Sequence, residues 1–439
     1  MLKRRAEDIY SLLVEDEDAR VCRDIPDDAC DEQPQAFLRQ LLAQTFTKIG
    51  DALTSSRLVL AWMLASIGSP AILISLLVPL RESLSLLPQL FIAQWIREHA
   101  LRKWFWVAGS LAQAMALLAM IPALVWLPGE TASLLIVILL ALFSLARGVC
   151  SVAAKDVLGK TISKSRRGRL TGLAASIAGF VTLGVAALLW FAPERAGDAG
   201  PDIALFALLL AVAAGLWLAA AAVYAGIPEV PGATEGGGNA IVDALKSLTL
   251  LFRDQEFLRF VLARMLLVAT AFAIPYLVVL IQRTGEGDIG GLAGLLLAEG
   301  AAGLLSGAFW GRWSDRASHH VMAAAAALSA AVMAAALASY FLAPQLLSQL
   351  LVPGLLVFAA AVAHQGARVG RKTYLVDLAT ADTRSSYTAV SNTVLGIFLL
   401  SGSGLGVVDA MYGTQTVLIL LLAVSLLASV FCLTLKRVD

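Results

Sequence analysis

The chain has 439 residues, of which 59% are hydrophobic and 15% charged, and its formal net charge is +1. A soluble domain carries roughly a quarter charged residues, so an ordinary water-soluble globule is excluded, and the near-zero net charge gives no sign of a nucleic-acid partner. The mean hydropathy of +0.79 is concentrated in runs such as 134–145 (LLIVILLALFSL) and 417–431, each closed by a short polar break. Runs of about 20 apolar residues match the hydrocarbon thickness of a bilayer, where only helices or closed barrels satisfy their backbone. These runs are continuous rather than alternating, which favours helices. The fold class expected is an all-α polytopic membrane protein.

In chain order, MLKRR is followed by AEDIYSLLVEDEDAR, an acidic stretch without the apolar core of a cleavable signal. Residues 1–50 read as a cytoplasmic extension holding an amphipathic helix over 35–52. Cys22 and Cys30 lie seven residues apart with no histidine nearby, so reduced thiols are expected there rather than a metal site. Twelve spans follow, near 58–79, 82–99, 104–127, 131–153, 170–192, 203–226, 258–281, 291–312, 321–343, 346–367, 388–411 and 414–435. Residues 51–226 form a first six-helix bundle, 227–256 (with IPEVPGATEGGG) a cytoplasmic linker, and 257–439 a second bundle. Lys and Arg crowd one set of loops (Arg102, Lys103, Arg166, Arg371, Lys372 among them) against Arg81, Arg195 and Arg283 on the other, which places both termini in the cytoplasm. Pro70, Gly68 and Pro275 are expected to bend spans one and seven.

An internal repeat supports the two-bundle reading. Residues 57–64 (RLVLAWML) match 259–266 (RFVLARML) at six of eight positions with a shift of 202. Residues 98–103 (EHALRK) and 315–320 (DRASHH) align at a shift of 217, as do Lys155, Leu158, Arg167 and Thr171 with Lys372, Leu375, Arg384 and Thr388. Two halves of six spans each share one orientation, the parallel duplication of rocking transporters.

Gly311-Arg-Trp-Ser-Asp315-Arg316-Ala-Ser-His319-His320 resembles the G-x-x-x-D-R-x-G-R-R loop of the major facilitator superfamily. Residues 155–172 (KDVLGKTISKSRRGRLTG) are similar to the basic loop which that family carries between helices four and five. The sequence departs from the pattern in its first half, where Gln94 and Glu98 stand for Gly and Asp, and at His319 and His320, which replace an arginine pair. The resemblance implies twelve helices in two pseudo-symmetric bundles. It also implies a gating set of Gly311, Asp315, Arg316, Glu98, Arg167 and Arg384, with Asp315 facing the start of span eleven and Glu98 the start of span five near Arg169. Physically, Gly307 and Gly311 bare one helix face for a close neighbour, and a carboxylate at the membrane edge suits the amide end of an adjacent helix.

Ionisable residues inside apolar runs are costly and mark functional positions. Glu299 lies mid-way along span eight, with Glu82, beside Arg81, as its repeat mate at the outer part of span two. Arg147 in span four is matched by His364 in span ten, and Arg264 in span seven stands opposite Trp62. The resemblance places Arg147, His364, Arg264 and Trp62 towards a central cavity. Glu299 reads either as a proton carrier or as half of a structural ion pair. Arg147 and Arg264 read as substrate or counter-charge contacts or as snorkelling cations, and His364 as a cavity residue or an interhelical bond. No G-x-S-x-G, H-E-x-x-H or P-loop occurs, so neither an enzyme nor a cofactor or metal site is expected. The leading expectation is a monomeric secondary transporter of a small solute, proton-coupled, in a plasma or inner membrane. The alternative is a transporter-like sensor or scaffold that moves nothing.

Overall fold

The computed structural model describes residue 10 and residues 25–87, 89, 92, 95, 96, 98–190, 203–232, 248–284, 289–349, 351–379 and 384–438. Among these residues there is no strand, and nine helices are long and apolar enough to cross a membrane.

Helix α1 (Gln33–Leu53) opens with a proline in its first turn, where the missing amide costs nothing. After a break over 54–58 the chain resumes as α2 (Val59–Ser66). The amphipathic helix expected in a peripheral extension is therefore packed into the first half, with Ala36, Phe37, Leu41 and Ala43 buried. That half begins at Gln33 rather than at residue 51. The hydropathy of α1 is low because its polar side chains bond inside the protein. Gln40 Nε2 donates to Thr161 Oγ1 at 2.7 Å, and the Ser163 amide donates to Gln33 Oε1 at 2.8 Å.

The stretch read as one span over 58–79 is instead a hairpin. Gly68 takes φ +74°, which side chains with a Cβ rarely adopt, and Pro70 stands just before α3 (Ala71–Leu86). Pro70 starts a helix here rather than bending one. Because α3 begins at Ala71, Arg81 and Glu82 lie well inside it and not at its outer edge. Then follow α4 (Lys103–Trp126), α5 (Gly129–Thr161), α6 (Lys164–Trp190) and α7 (Ile203–Ala225). α1 packs against α6 and α7, α4 against α5 and α7, and Trp106 stacks on Tyr224 with ring centroids 3.9 Å apart.

The second half repeats the broken first span. Helices α8 (Gln255–Leu266) and α9 (Ala269–Thr284) are separated by Leu267 and Val268, so the interruption lies there and not at Pro275, which is inside α9. Asp254 caps α8, its Oδ1 accepting from the amides of Glu256 (2.9 Å) and Phe257 (3.0 Å). α10 (Ile289–Leu342) is two helices meeting at Ala317, whose φ −163° and ψ 73° are not helical. α11 (Leu351–Leu378), α12 (Arg384–Ser401), α13 (Gly404–Tyr412) and α14 (Thr414–Leu433) complete the chain.

The first residues of α3 and α10, α5 and α11, and α6 and α12 are 218, 222 and 220 positions apart, close to the shift of 217. The shift of 202 does not correspond to this register. It pairs Arg57, beyond the end of a 21-residue helix, with Arg259 in the first turns of α8. The eight-residue match is a coincidence between apolar sequences.

The halves touch where α2 meets α9, where α3 meets α12 and α13, and where α6 meets α10. Ser75 Oγ donates to the carbonyl of Ser403 at 3.1 Å, and a Cβ on Gly406 would lie 2.8 Å from Ile72 Cα. A Cβ on Gly179 would lie 2.9 Å from Leu304, and one on Gly300 2.8 Å from Leu183. Cys150 and Cys432 are free and buried. Cys30 is disulfide-bonded, contrary to the reduced thiol expected, because sequence spacing argues only about metal ligation and not about which sulfurs approach each other. Cys22 lies outside the described residues.

Candidate functional site

One carboxylate organises the interior of the first half. Asp51, two residues before the end of α1, accepts at Oδ1 from Arg81 Nη2 of α3 at 2.7 Å and from Arg147 Nη1 of α5. The Arg81 side chain is 9% exposed, Asp51 23% and Arg147 36%, so the trio grades from sealed to solvent-reached. The Arg81 guanidinium also lies 4.8 Å from the centroid of the Phe143 ring, a cation–π contact that helps a buried charge. Charge-assisted bonds of this kind compensate desolvation only when the partners are fixed, as they are here from three helices.

Around this clamp lie charges that have no such partner. Glu82, next to Arg81, makes no side-chain hydrogen bond or ion pair among the described residues, yet it is within electrostatic reach of Arg57, Arg147, Arg368 and Arg371. His364, Arg368 and Arg371 follow the i, i+4, i+7 spacing that puts side chains on one face of α11. Arg368 senses Arg57, Glu82 and Arg147 of the first half, and Lys48 of α1 senses Arg368 in turn. Lys48 and Arg368 are exposed, and Arg57 and Arg371 half-buried. The polar layer is therefore open to water and shared by both halves.

His364 Nδ1 lies 3.3 Å from Thr270 Oγ1 of α9, an interhelical bond, and the same residue senses Arg57, Arg368 and Arg371. Arg264 does not snorkel. It is 7% exposed, and its Nη1 and Nη2 donate to Ser391 Oγ (2.6 Å) and Asn392 Oδ1 (3.1 Å) of α12, while its Nε meets no acceptor among the described residues. Trp62 is buried in the apolar core of α2 and is not part of this layer. Glu299 is half-buried on α10, forms no ion pair among the described residues, and is not among the charges sensed by the central group. Its neighbour Gly300 faces Leu183 of α6, so this part of α10 belongs to the apolar contact between the halves.

Sequence reasoning missed Lys48, Asp51, Arg57, Arg368 and Arg371 as members of the site, and took Arg81 for a surface residue. Lys48 and Asp51 were hidden in the amphipathic helix expected over 35–52. The spacing of Arg368 and Arg371 from His364 was the available signal.

No family model matches the chain, and no curated protein matches it in sequence. Solved structures do. A POT family transporter in complex with a thioalcohol-conjugated peptide is 11% identical with a TM-score of 0.67, covering 90% of this chain and 95% of that one. A D-xylose-proton symporter is 16% identical with a TM-score of 0.64, covering 92% and 97%. The nucleoside transporter NupG is 13% identical with a TM-score of 0.61, covering 91% and 98%. The chain has the major facilitator fold.

In this major facilitator fold no side-chain bond among the described residues joins Asp315, Arg316 and Glu98 of the motif loops. Asp315 and Arg316 are exposed at the Ala317 kink, and Asp315 makes no hydrogen bond or ion pair among the described residues. The side chain of Arg384 lies outside the described residues, as does Gln94. Glu98 and Arg169 are exposed and form no hydrogen bond or ion pair with each other among the described residues. Arg167 caps α5 instead, donating to the carbonyls of Ile162 (2.9 Å) and Gly159 (2.8 Å). A Cβ on Gly307 or Gly311 would meet nothing within 4 Å, so neither glycine serves a close approach here. That role falls to Gly366 and Gly370 of α11, where added Cβ atoms would lie 2.7 Å from the Trp310 ring and 2.8 Å from Met322. His319 is buried and His320 exposed, with ring centroids 4.1 Å apart.

The ordered loop charges are elsewhere. Glu229, after α7, accepts from the amides of Arg102 (2.9 Å) and Lys103 (2.8 Å) and from Lys160 Nζ (2.9 Å). It thereby places a carboxylate at the amide end of α4. Asp156 accepts from Arg102 Nη1 and pairs with Lys160 at 3.0 Å. This network ties α4, α5 and the segment after α7 into one body at that end of the first half.

Proposed function

We propose that the protein is a secondary active transporter that moves a small solute by alternating access, the two halves rocking about the polar layer. It acts as a monomer, in a plasma or inner membrane, with both termini in the cytoplasm. The observation that carries this reading is the layer itself. Charges of α1, α3, α5 and α11 converge between the halves, reached by water, in a fold whose solved neighbours include a D-xylose-proton symporter and a nucleoside transporter. Contacts between the halves run along α2–α9, α3–α12/α13 and α6–α10, while Asp315 and Glu98 are exposed and form no hydrogen bond or ion pair among the described residues, which fits a state closed on the outer side and open to the cytoplasm.

The coupling ion is a proton, and Glu82 carries it. Asp51 is held by two guanidiniums, whereas Glu82 has no fixed partner among the described residues and sits where both halves meet. Glu299, away from the layer, is not used.

The test is solute counterflow together with internal pH in proteoliposomes. At least one solute is expected to exchange and to move protons, and Glu82→Gln is expected to keep exchange but lose proton movement. Unchanged proton flux in that variant removes Glu82 from the mechanism. Failure of every solute class to exchange turns the protein into a sensor or scaffold.

A further inference from the structure

Asp51 is already used twice, by Arg81 and Arg147. What is left in the layer is unbalanced. Arg57, Arg368 and Arg371 face Glu82, Lys48 lies within reach of Asp51 and Arg368, and none of these four cations forms an ion pair among the described residues. Lys48 and Arg368 are exposed and Arg57 and Arg371 half-buried, so the excess positive charge is presented to water between the halves. Like charges on both sides of a cleft focus a positive field into it.

A plain positive-inside flank does not explain the arrangement. Flanking bases sit in loops and at span ends, whereas Arg57 lies in the break between α1 and α2, and its electrostatic neighbours Glu82 and Arg368 lie within α3 and α11. Guanidinium groups are also the side chains that grip paired oxyanions in a planar fork, and two of the three are three residues apart on one helix.

We propose that the space between the halves is a binding site for a small organic anion with two or more negative charges, held by Arg57 and Arg371 with Arg368. This rests on the transporter reading for the role of the site as a cargo site, but the binding itself is measured separately. A carboxylate pair and a phosphate ester share the chemistry. Lys48 supplies a flexible, exposed point charge, and the Asp51 clamp holds Arg81 and Arg147.

The experiment uses the full chain purified in an uncharged detergent, with thermal unfolding followed at constant ionic strength. Phenyl phosphate and succinate are the probes, and glucose and sodium chloride the controls. One or both divalent anions are expected to raise the unfolding midpoint saturably, and the controls are not; which probe acts separates the phosphate from the carboxylate source. Arg368→Gln relieves repulsion, so the empty variant is expected to unfold at the same or a higher temperature while binding the anion at least tenfold more weakly. Arg368→Lys is expected to recover part of that loss. A merely structural arginine would give the opposite first result, a less stable empty protein.

Equal anion binding by wild type and Arg368→Gln overturns the proposal, as does stabilisation by glucose with none by either anion. Anion binding without counterflow in proteoliposomes supports this site and removes the transport reading instead. Counterflow of a neutral solute with no anion binding sinks the anion site and leaves transport standing.

Discussion

Asp51 satisfies two guanidiniums with one oxygen, so its loss strands both. Removing one partner of a buried ion pair costs about 3–5 kcal/mol, because the remaining charge is uncompensated. Asp51→Asn is therefore expected to lower the unfolding temperature sharply in detergent. Arg147→Gln, at the more exposed corner, is expected to cost less, since Arg81 keeps its carboxylate. Asp254 works differently. Burial pushes its carboxyl up, but the Tyr387 hydroxyl, the Phe257 and Glu256 amides and Lys436 together outweigh this and hold it below the usual carboxylate range. A depressed carboxylate contributes stability that is complete above its ordinary value of about 4 and lost as pH falls through the lower folded one. Asp254→Ala is expected to cost about 1 kcal/mol at neutral pH, and the gap to wild type is expected to close in strong acid. Unfolding curves at several pH values check both. At this scale the sequence was readable where a charge interrupts an apolar run. Arg147, Arg264 and His364 stood out for that reason. Arg368 and Arg371 did not, because they follow His364 towards a basic loop and look like its flank.

Helices α3 and α13 meet through a glycine. A Cβ on Gly406 would lie 2.2 Å from Ser75 Oγ and 2.8 Å from the Ile72 backbone, so the halves must part to admit it. Gly406→Ala is expected to shift the population towards a state open at that end. The check is labelling of Ser75→Cys by a membrane-impermeant maleimide, which is expected to speed up several-fold; an unchanged rate would show that the contact does not hold the halves together. Gly366→Ala tests the contrast. Its Cβ would press on the Trp310 ring, whose Nε1 donates to the Val362 carbonyl at 2.9 Å within the same half. Overpacking of this type costs about 1–3 kcal/mol and is expected to lower thermal stability without altering labelling at Ser75→Cys. Span edges were hard to read for a related reason. α1 is amphipathic because its polar face meets Thr161 and Ser163, and α2 is short because Gly68 reverses the chain. An average over apolar residues sees neither. The shift of 217 survived because polar loop residues carried it.

The first half as a body depends on α1. Phe37, Leu41 and Ala43 are buried against α6 and α7, and Gln33 and Gln40 bond to the α5–α6 junction. Deletion of residues 1–50 is therefore expected to abolish folding, read as loss of a monodisperse peak in size-exclusion chromatography. A well-behaved truncated protein would restore the view of this segment as an appendage. The overall class was visible in the sequence because hydropathy and one loop motif are coarse, repeated signals. The polar layer was not, because it is assembled from positions 48, 51, 57, 82, 147, 368 and 371, which only the packing of helices from two halves brings together.

The Asp51 clamp also bears on how such a chain is made. Arg81 and Arg147 follow Asp51 by 30 and 96 residues, so the acid emerges from the ribosome well ahead of both cations. A lone carboxylate is poorly tolerated among acyl chains, and the leading helix cannot settle on its own. Its lodging in the bilayer waits for α3, which brings Arg81, and the cluster is complete only with Arg147 of α5, so biogenesis of the amino-terminal half is expected to be concerted rather than helix-by-helix.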